Sequence, residues 1–129
     1  MTILPHASIA PLALPGLLHR TIAGPRDGLR SMEVWRQTIA PGEATPLHKH
    51  DCEEVVVILA GRGRLEIEGK SQGFGPDSSL ILSANAVHRI ANDGAEPLEL
   101  IGILGMAPVR VETPEGERIA LPWDQAAAC

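Results

Sequence analysis

GEATPLHKHDCEEVVVILAG, residues 42–61, is the stretch from which the fold of this chain can be recognised. Its second half contains VVVIL, a run of β-branched and aliphatic residues that ends at Gly61, and this pattern is typical of a strand followed by a turn. Side chains two positions apart on a strand project from the same face, so His48 and His50 are expected to point together. The stretch therefore predicts a strand with a pair of imidazoles beside its beginning.

Two further side chains can join this pair at one metal ion. Glu54 follows after a short break and can bring a carboxylate oxygen to the same point, and His88 can reach it from another strand. Three neutral nitrogens and one anionic oxygen suit iron, manganese, nickel, zinc or copper as divalent ions. An ion that takes about six ligands then keeps neighbouring positions open for water, substrate or oxygen. The residues therefore predict one transition-metal ion at a site able to do chemistry.

The segments on either side of this stretch have the length and punctuation of further strands. Thirteen glycines and eleven prolines separate short aliphatic runs, and GRLEIEG at 63–69 alternates, with Leu65 and Ile67 on one face. The runs that we expect to be strands are 17–24, 30–40, 53–60, 63–69, 79–83 and 98–105, with a hairpin formed by 109–112 and 117–121. Helical structure is expected only as a short turn near the N-terminus or at 124–128. The pattern predicts an all-β sandwich or barrel.

Length and composition limit the organisation and the partners of the chain. A chain of 129 residues has room for one domain, which we divide into a lead-in at 1–24 with a possible edge strand, a barrel at 25–122 and a tail at 123–129. A net charge of −5 and an aromatic content of 2% argue against a nucleic-acid surface. No run is long enough to cross a bilayer, and the apolar N-terminus does not have the pattern of a signal peptide. Two cysteines far apart in sequence favour a reducing, cytoplasmic setting.

Both histidine-containing segments resemble motifs of the cupin superfamily. The first matches every fixed position of the cupin motif G-x5-H-x-H-x3-E-x6-G, at Gly42, His48, His50, Glu54 and Gly61. The second resembles the motif G-x5-P-x-G-x2-H-x3-N, which it matches at His88 and Asn92 and departs from at Asp77, Ser83 and Asn85. The resemblance covers the middle of the chain, and two matching motifs are a far more specific signal than a lone H-x-H.

The resemblance implies a fold, a ligand set and an assembly. Cupins are small jelly-roll β-barrels and usually homodimers, so we expect an all-β jelly-roll domain that pairs with a second copy. The metal ligands implied are His48, His50, Glu54 and His88. The substitutions in the second motif are expected to serve the same turns as the family's glycines and proline, so they affect the shape of the loop rather than the ligand.

A few side chains near the motifs are candidates for contact with a substrate. Arg36 and Gln37 lie on the preceding strand, and alternation allows only one of them to face inward; the sequence leaves open which one. Cys52 shares parity with the ligands, so a thiol near the metal is conceivable, although a half-buried position in the turn before Glu54 is favoured. His6 and His19, outside the motifs, are expected at the surface.

The residues leave two classes of function open. The first is an enzyme acting on a small organic substrate, with dioxygenase-like chemistry preferred and metal-dependent isomerisation or decarboxylation as alternatives. In an enzyme, Glu54 is the catalytic candidate, as ligand and base in turn, while the absence of tyrosine removes one source of a second acid or base. The second class is a metal-dependent binding or sensing module without turnover. The partner expected in both is a small molecule, not a nucleic acid or a membrane.

Overall fold

The computed structural model describes residues 2–123 and consists almost entirely of antiparallel strands. In chain order these are β1 (Leu12–Leu14), β2 (Leu17–Ala23), β3 (Glu33–Ile39), β4 (Glu54–Ala60), β5 (Gly63–Ile67), β6 (Lys70–Phe74), β7 (Ser78–Leu82), β8 (His88–Ala91), β9 (Leu98–Leu104), β10 (Val111–Glu112) and β11 (Arg118–Ile119). Short 3₁₀ turns span His6–Ser8 and Pro25–Asp27. Within residues 2–123, no helix has the length and hydropathy of a membrane span. The predicted all-β class is confirmed.

The strands form one large sheet and two small ones. The large sheet has the order β1-β2-β3-β9-β4-β7, a second sheet has the order β6-β5-β8, and β10 pairs with β11. Isolated bridges join the segment before β4 to the two small sheets, at Ala44 with Ala91, His48 with His88 and Lys49 with Glu112. The hydrogen-bonded ladders of the described residues do not close into one continuous cylinder, but the antiparallel arrangement agrees with the predicted jelly roll.

The interior lies on one face of the large sheet. Strand β3 alternates strictly, with Glu33, Trp35, Gln37 and Ile39 buried and the residues between them half-buried. One apolar cluster lies between the two larger sheets, and a second lies beneath the β10–β11 hairpin. The first cluster contains Ile39, Val56, Ile58, Leu80, Leu82, Ile90, Leu98 and Leu100, and the second contains Trp35, Leu104, Met106, Val109, Val111 and Leu121. Burial of this aliphatic surface stabilises the fold at roughly 25 cal/mol per Å².

Each of the predicted runs contains a strand, and the differences from the prediction have physical reasons. The hairpin forms as β10 and β11, and Leu65 and Ile67 pack against the first cluster as expected. Strand β6 was not predicted, because KSQGF carries little aliphatic patterning and is held by pairing with β5. The strand predicted at the edge, β2, instead lies between β1 and β3. The possible helix at 124–128 lies outside the described residues.

The departures from the second cupin motif occupy left-handed turns. Asp77 has a φ of 59° and Asn85 a φ of 66°, at the two positions where the motif has glycine. Aspartate and asparagine tolerate this conformation better than other non-glycine residues. The backbone N–H of Asn85 donates to the carbonyl of His50 at 2.7 Å, so this turn is tied to the segment that carries the histidine pair.

The division into lead-in, barrel and tail stays a prediction. Strands β1 and β2 precede residue 25, yet both belong to the large sheet. Trp123, at the predicted start of the tail, packs against the second apolar cluster. The other residues of the tail, 124–129, are not among those described.

Candidate metal centre

Three histidines from two segments of the chain meet inside the fold. His48 and His50 precede β4, and His88 begins β8. A pair of backbone hydrogen bonds joins His48 to His88, at 3.0 and 2.9 Å, so the two segments are held side by side. The ligand atoms of the three side chains all lie within 4.8 Å of one another, and the three imidazoles could therefore hold a metal ion.

The backbone determines which nitrogen of each imidazole is available. Nδ1 of His48 lies 2.7 Å from the carbonyl of Pro46, Nδ1 of His50 lies 2.9 Å from that of Arg110, and Nδ1 of His88 lies 2.9 Å from that of Ala86. A carbonyl oxygen can only accept, so each Nδ1 must carry the proton and donate it. Each neutral ring then keeps a lone pair on Nε2, which is the arrangement expected of metal-binding histidines.

The carboxylate of Glu54 lies beside two of these histidines, and buried atoms of this group lack partners. Its Oε1 lies 3.5 Å from Nε2 of His50 and 3.4 Å from Nε2 of His88. Both Oε1 of Glu54 and Nε2 of His50 are buried and form no hydrogen bond with the described residues. A buried carboxylate without a partner is costly, and a bound cation removes that cost. The donor set of the residues present fits a divalent metal ion.

The sheet leaves space for this carboxylate at Gly102. Gly102 faces the interior from β9, beside Glu54 on the neighbouring β4. A Cβ atom at Gly102 would lie 3.3 Å from Oε2 of Glu54, closer than ordinary van der Waals contact. The missing side chain therefore lets the carboxylate lie against the sheet.

Burial keeps His48 and His50 in the form that binds metal. Burial, together with the nearby His88, lowers the pKa of His48 to about 4. Burial also lowers the pKa of His50, although the Glu54 carboxylate and the hydrogen bond to Arg110 act in the opposite direction. Both rings are therefore neutral at pH 7, and a metal ion does not have to displace protons from them.

Three side chains of this region, His48, Glu54 and His88, line a cavity of about 200 Å³. The wall is mainly aliphatic and aromatic, with few polar groups. The lining residues are Leu14, Leu17, Trp35, Gln37, Thr45, Pro46, His48, Glu54, Val56, His88, Ile90, Leu100, Gly102, Val111, Ile119, Ala120, Leu121, Pro122 and Trp123. The titratable side chains among them are His48, Glu54 and His88, and no lysine or arginine of residues 2–123 lines the cavity. The cavity thus offers a small ligand a mainly apolar wall, with polar groups at the metal cluster and at Gln37 and Thr45.

The structure separates the other candidates for substrate contact. Gln37 faces inward and lines the cavity, whereas Arg36 faces the other side of the sheet, where its Nη1 lies 2.9 Å from Nδ1 of His6. Cys52 packs against the second apolar cluster and does not line the cavity. Burial raises the pKa of the Cys52 thiol, so it is held in the protonated form. Of the three candidates, Gln37 alone lies in the cavity wall.

The expectation that His19 lies at the surface is wrong. It is 2% exposed, on the inner face of β2 and directly opposite Gln37 on β3. Its ring stacks on Trp123 with centroids 3.6 Å apart. The aliphatic neighbours of His19 in LLHRTIA could have indicated a buried strand position. The contact with Trp123 joins residues far apart in sequence, and no pattern in the sequence indicated it.

Comparison with known proteins identifies the family. The family model described as auxin-binding protein matches residues 4–116. Auxin-binding protein 1 of Arabidopsis thaliana is 37% identical over 107 residues, covering 75% of this chain and 54% of that protein. Auxin-binding protein T85 of Nicotiana tabacum is 40% identical over 108 residues, covering 74% of this chain and 58% of that protein. The chain therefore spans about half the length of the curated relatives it matches.

Solved structures support the fold. The polyketide cyclase RemF of Streptomyces resistomycificus superposes with a TM-score of 0.74 at 16% identity, covering 96% of this chain and 89% of that one. A cupin-superfamily sugar phosphate isomerase from Silicibacter pomeroyi superposes with a TM-score of 0.71 at 17% identity, covering 89% of each chain. Similarity at this level of identity supports the fold and not the reaction. The matched family model and the shared fold together show that this chain belongs to the auxin-binding protein family of the cupin superfamily.

Proposed function

We propose that this chain binds a small aromatic carboxylic acid of the auxin type at a metal ion held by His48, His50, Glu54 and His88. The observation that carries the proposal is the cavity, whose mainly apolar wall is interrupted by the side chains of the metal cluster. A ligand with an aromatic ring and one carboxylate has an apolar part for the wall and an anionic group for the metal ion. The names of the relatives agree with a ligand of this class.

The walls suit an aromatic ring. Trp35 and Trp123 line the cavity together with aliphatic side chains, and their indole rings lie edge to face with centroids 5.1 Å apart. Aromatic and aliphatic walls stabilise a planar apolar ligand by burial and by ring contacts. The volume of about 200 Å³ restricts the ligand to a small molecule.

The metal cluster suits a carboxylate. Three neutral imidazoles and Glu54 would hold a borderline divalent ion, namely iron, manganese, nickel, zinc or copper. Such an ion, when bound, supplies the positive charge that a ligand carboxylate needs in an apolar cavity. His48, Glu54 and His88 line the cavity, while His50 lies behind them, 2% exposed.

Binding without turnover is favoured over catalysis by the composition of the wall. Among residues 2–123, the titratable side chains that line the cavity all belong to the metal cluster, so this part of the chain supplies no independent acid or base beside the ligand. The absence of lysine and arginine from the wall argues against a phosphorylated sugar as the substrate.

A dioxygenase-like reaction is the second candidate, with Glu54 as ligand and base in turn. It is supported by a metal cluster that opens on a mainly apolar cavity. Oxygen uptake measured over catechols, diketones and flavonols separates the two candidates. Oxygen uptake with any of these substrates would establish an enzyme.

The test of the proposal is binding of indole-3-acetic acid, measured by calorimetry. We expect the zinc-loaded protein to bind it and the metal-free protein to bind it at least tenfold more weakly. We expect the double variant His48→Ala/His50→Ala to lose its metal by elemental analysis and to lose binding with it, because two nitrogen ligands are removed. The matched control is His6→Ala, which changes a histidine outside the cavity. Full metal occupancy in the double variant, or equal affinity with and without metal, would contradict the proposal.

We also propose that the chain forms a homodimer through the outer face of the large sheet. Ile81, Val55, Ile103 and Val34 lie in one row across four strands on that face. Ile81 is 71% exposed, and β7, which carries it, is an edge strand. An aliphatic row that continues to a free sheet edge is typical of a surface covered by another molecule, and a second copy presents the complementary row.

The dimer is tested by sedimentation at several concentrations. We expect a dimer for the wild type and a monomer for Ile81→Lys, because the substitution places a charge in the apolar row. The matched control is Ser71→Lys, which places the same charge at an exposed position on β6, outside this face, and should leave the dimer intact. A wild-type monomer at all concentrations would contradict this assembly.

The cytoplasm stays our proposed location. Cys52 is a free thiol, in agreement with a reducing compartment. Native protein isolated with Cys52 in a disulfide would contradict that location.

A further inference from the structure

The turn between β5 and β6 contains a glutamate in a backbone conformation that favours glycine. Ile67 pairs with Lys70, so Glu68 and Gly69 form a two-residue hairpin loop. Their φ angles are 48° and 77°, and both lie in the left-handed region. A loop of this type prefers Asn-Gly or Asp-Gly, because short polar side chains and glycine tolerate a positive φ. The glutamate therefore makes this turn less stable than an asparagine would.

This glutamate contacts the residue that precedes a metal ligand. The backbone N–H of Val87 donates to Oε1 of Glu68 at 3.0 Å, and the backbone N–H of Glu68 donates to the carbonyl of Val87 at 3.0 Å. Val87 lies directly before β8, which begins at His88. The donor and acceptor roles are fixed, because a backbone N–H donates and carboxylate and carbonyl oxygens accept. One residue of the turn thus binds both backbone polar groups of Val87.

Val87 lies between the two groups that determine the orientation of the His88 imidazole. Nδ1 of His88 donates to the carbonyl of Ala86, the residue before Val87, at 2.9 Å. The geometry of this hydrogen bond depends on the backbone angles of Val87, because that residue connects the donor to the acceptor. Holding Val87 at both its N–H and its carbonyl restricts those angles. The imidazole is thereby kept with Nε2 beside the carboxylate of Glu54.

A second carboxylate on the same hairpin provides a comparison. Glu66 lies two residues before Glu68, and its Oε2 accepts a hydrogen bond from Nε of Arg89, the residue after His88, at 2.9 Å. This contact joins two side chains, neither of which lines the cavity. The backbones of Glu66 and Arg89 already pair in the ladder between β5 and β8. The Glu66 side chain is therefore not needed to place the backbone beside His88, whereas Glu68 bonds to that backbone directly.

We propose that Glu68 is a positioning residue of the metal centre, which fixes the His88 imidazole through the backbone of Val87. The inference rests on the metal ion of the proposed function and deepens that function, because it assigns part of the metal affinity to a residue outside the ligand set. An asparagine would suit the turn, but its side chain is one methylene too short to reach Val87. The strained glutamate is thus the residue that makes this contact.

The metal-free test is hydrogen exchange of the Val87 amide, measured by NMR. We expect this amide to exchange about threefold to tenfold faster in Glu68→Asn than in the wild type, the usual value of one hydrogen bond. Glu68→Gln should keep the wild-type rate, because its carboxamide oxygen can still accept. The Tm of Glu68→Asn should equal or exceed that of the wild type, because asparagine tolerates the left-handed turn. Unchanged exchange of Val87 in Glu68→Asn would overturn the inference.

The metal test measures zinc affinity by competition with a chelator and the visible absorption bands of the cobalt-loaded protein. We expect Glu68→Asn to bind zinc about threefold to tenfold more weakly and to shift the cobalt bands, because the imidazole of His88 is oriented less firmly. Glu68→Gln should restore both properties to the wild-type values. The matched control is Glu66→Asn, the same substitution two residues earlier, which removes the contact with Arg89 and should change neither property.

The outcomes separate this inference from the proposed function. Wild-type zinc affinity in Glu68→Asn would overturn the inference, and so would an equal loss in Glu68→Gln or Glu66→Asn, because the loss would then not depend on the bond to Val87. A lower Tm with an unchanged cobalt spectrum would show a merely structural role and overturn it as well. If the wild type binds zinc but not indole-3-acetic acid, the proposed ligand is wrong and this inference stands. If the wild type binds no metal, both fail.

Discussion

At the scale of single residues, the candidate site depends on imidazoles whose hydrogen bonds leave one ring nitrogen available for a metal ion. Each cluster histidine donates the proton on Nδ1 to a backbone carbonyl, so only Nε2 keeps a lone pair for a metal ion. The carboxylate of Glu54 lies beside two of these nitrogens and lacks a hydrogen bond at Oε1. The position of that carboxylate depends in turn on a residue without a side chain, Gly102.

The substitution Gly102→Ala tests this dependence. The new Cβ would lie 3.3 Å from Oε2 of Glu54, so the carboxylate must shift by a few tenths of an ångström. We expect zinc affinity to fall about tenfold, which is typical when the support of a metal ligand is disturbed. Zinc affinity is measured by competition with a chelator. The control is Gly105→Ala, whose Cβ makes an ordinary contact of 3.6 Å with the carbonyl of Glu53 and should leave affinity unchanged.

At the scale of elements, the strands bring the two halves of the site together through a few turns. The turn before β8 places His88, and its residue Asn85 bonds to the carbonyl of His50. Asn85 holds a left-handed conformation, with a φ of 66°, at a position where the cupin motif has glycine. The turn is therefore preserved although the residue differs.

Substitutions at Asn85 distinguish conformation from side-chain chemistry. We expect Asn85→Gly to change the free energy of unfolding by less than about 0.5 kcal/mol, because glycine adopts this φ without strain. We expect Asn85→Ala to lower it by about 1–2 kcal/mol. Urea denaturation measures both. An equal loss of unfolding free energy in the two variants would show that the asparagine side chain, and not the backbone conformation, stabilises this turn.

At the scale of the whole molecule, the interior that stabilises the fold also contains the candidate site. His19 is buried with its proton on one nitrogen, and its folded-state pKa of about 3 lies below the value of about 6.5 expected in the unfolded chain. Between these two values the unfolded chain binds a proton that the folded chain does not. The stability that His19 contributes is therefore present above pH 6.5 and is lost as the pH falls toward 3.

The pH dependence of unfolding checks this sign. We expect the metal-free wild type to lose up to about 1.4 kcal/mol per pH unit more than His19→Phe between pH 6.5 and 4.5. Urea denaturation in the presence of a chelator gives the free energy at each pH. Leu100→Val, a core change without a titratable group, should lower the stability by the same amount at every pH. Parallel pH curves for the wild type and His19→Phe would show that burial does not hold this ring neutral.

Local spacing was enough to predict the all-β class, a strand at 53–60 and the shared direction of His48 and His50, because strand periodicity acts over a few residues. The addition of His88 depended on the resemblance to the second cupin motif. Only the tertiary structure decided that Gln37 and not Arg36 faces the cavity, that His19 is buried, and that Trp123 stacks on it. These facts depend on which strands pair and in what register, and on how the C-terminal segment returns over the sheet. Such long-range contacts are determined by the packing of the whole chain, which no local pattern encodes.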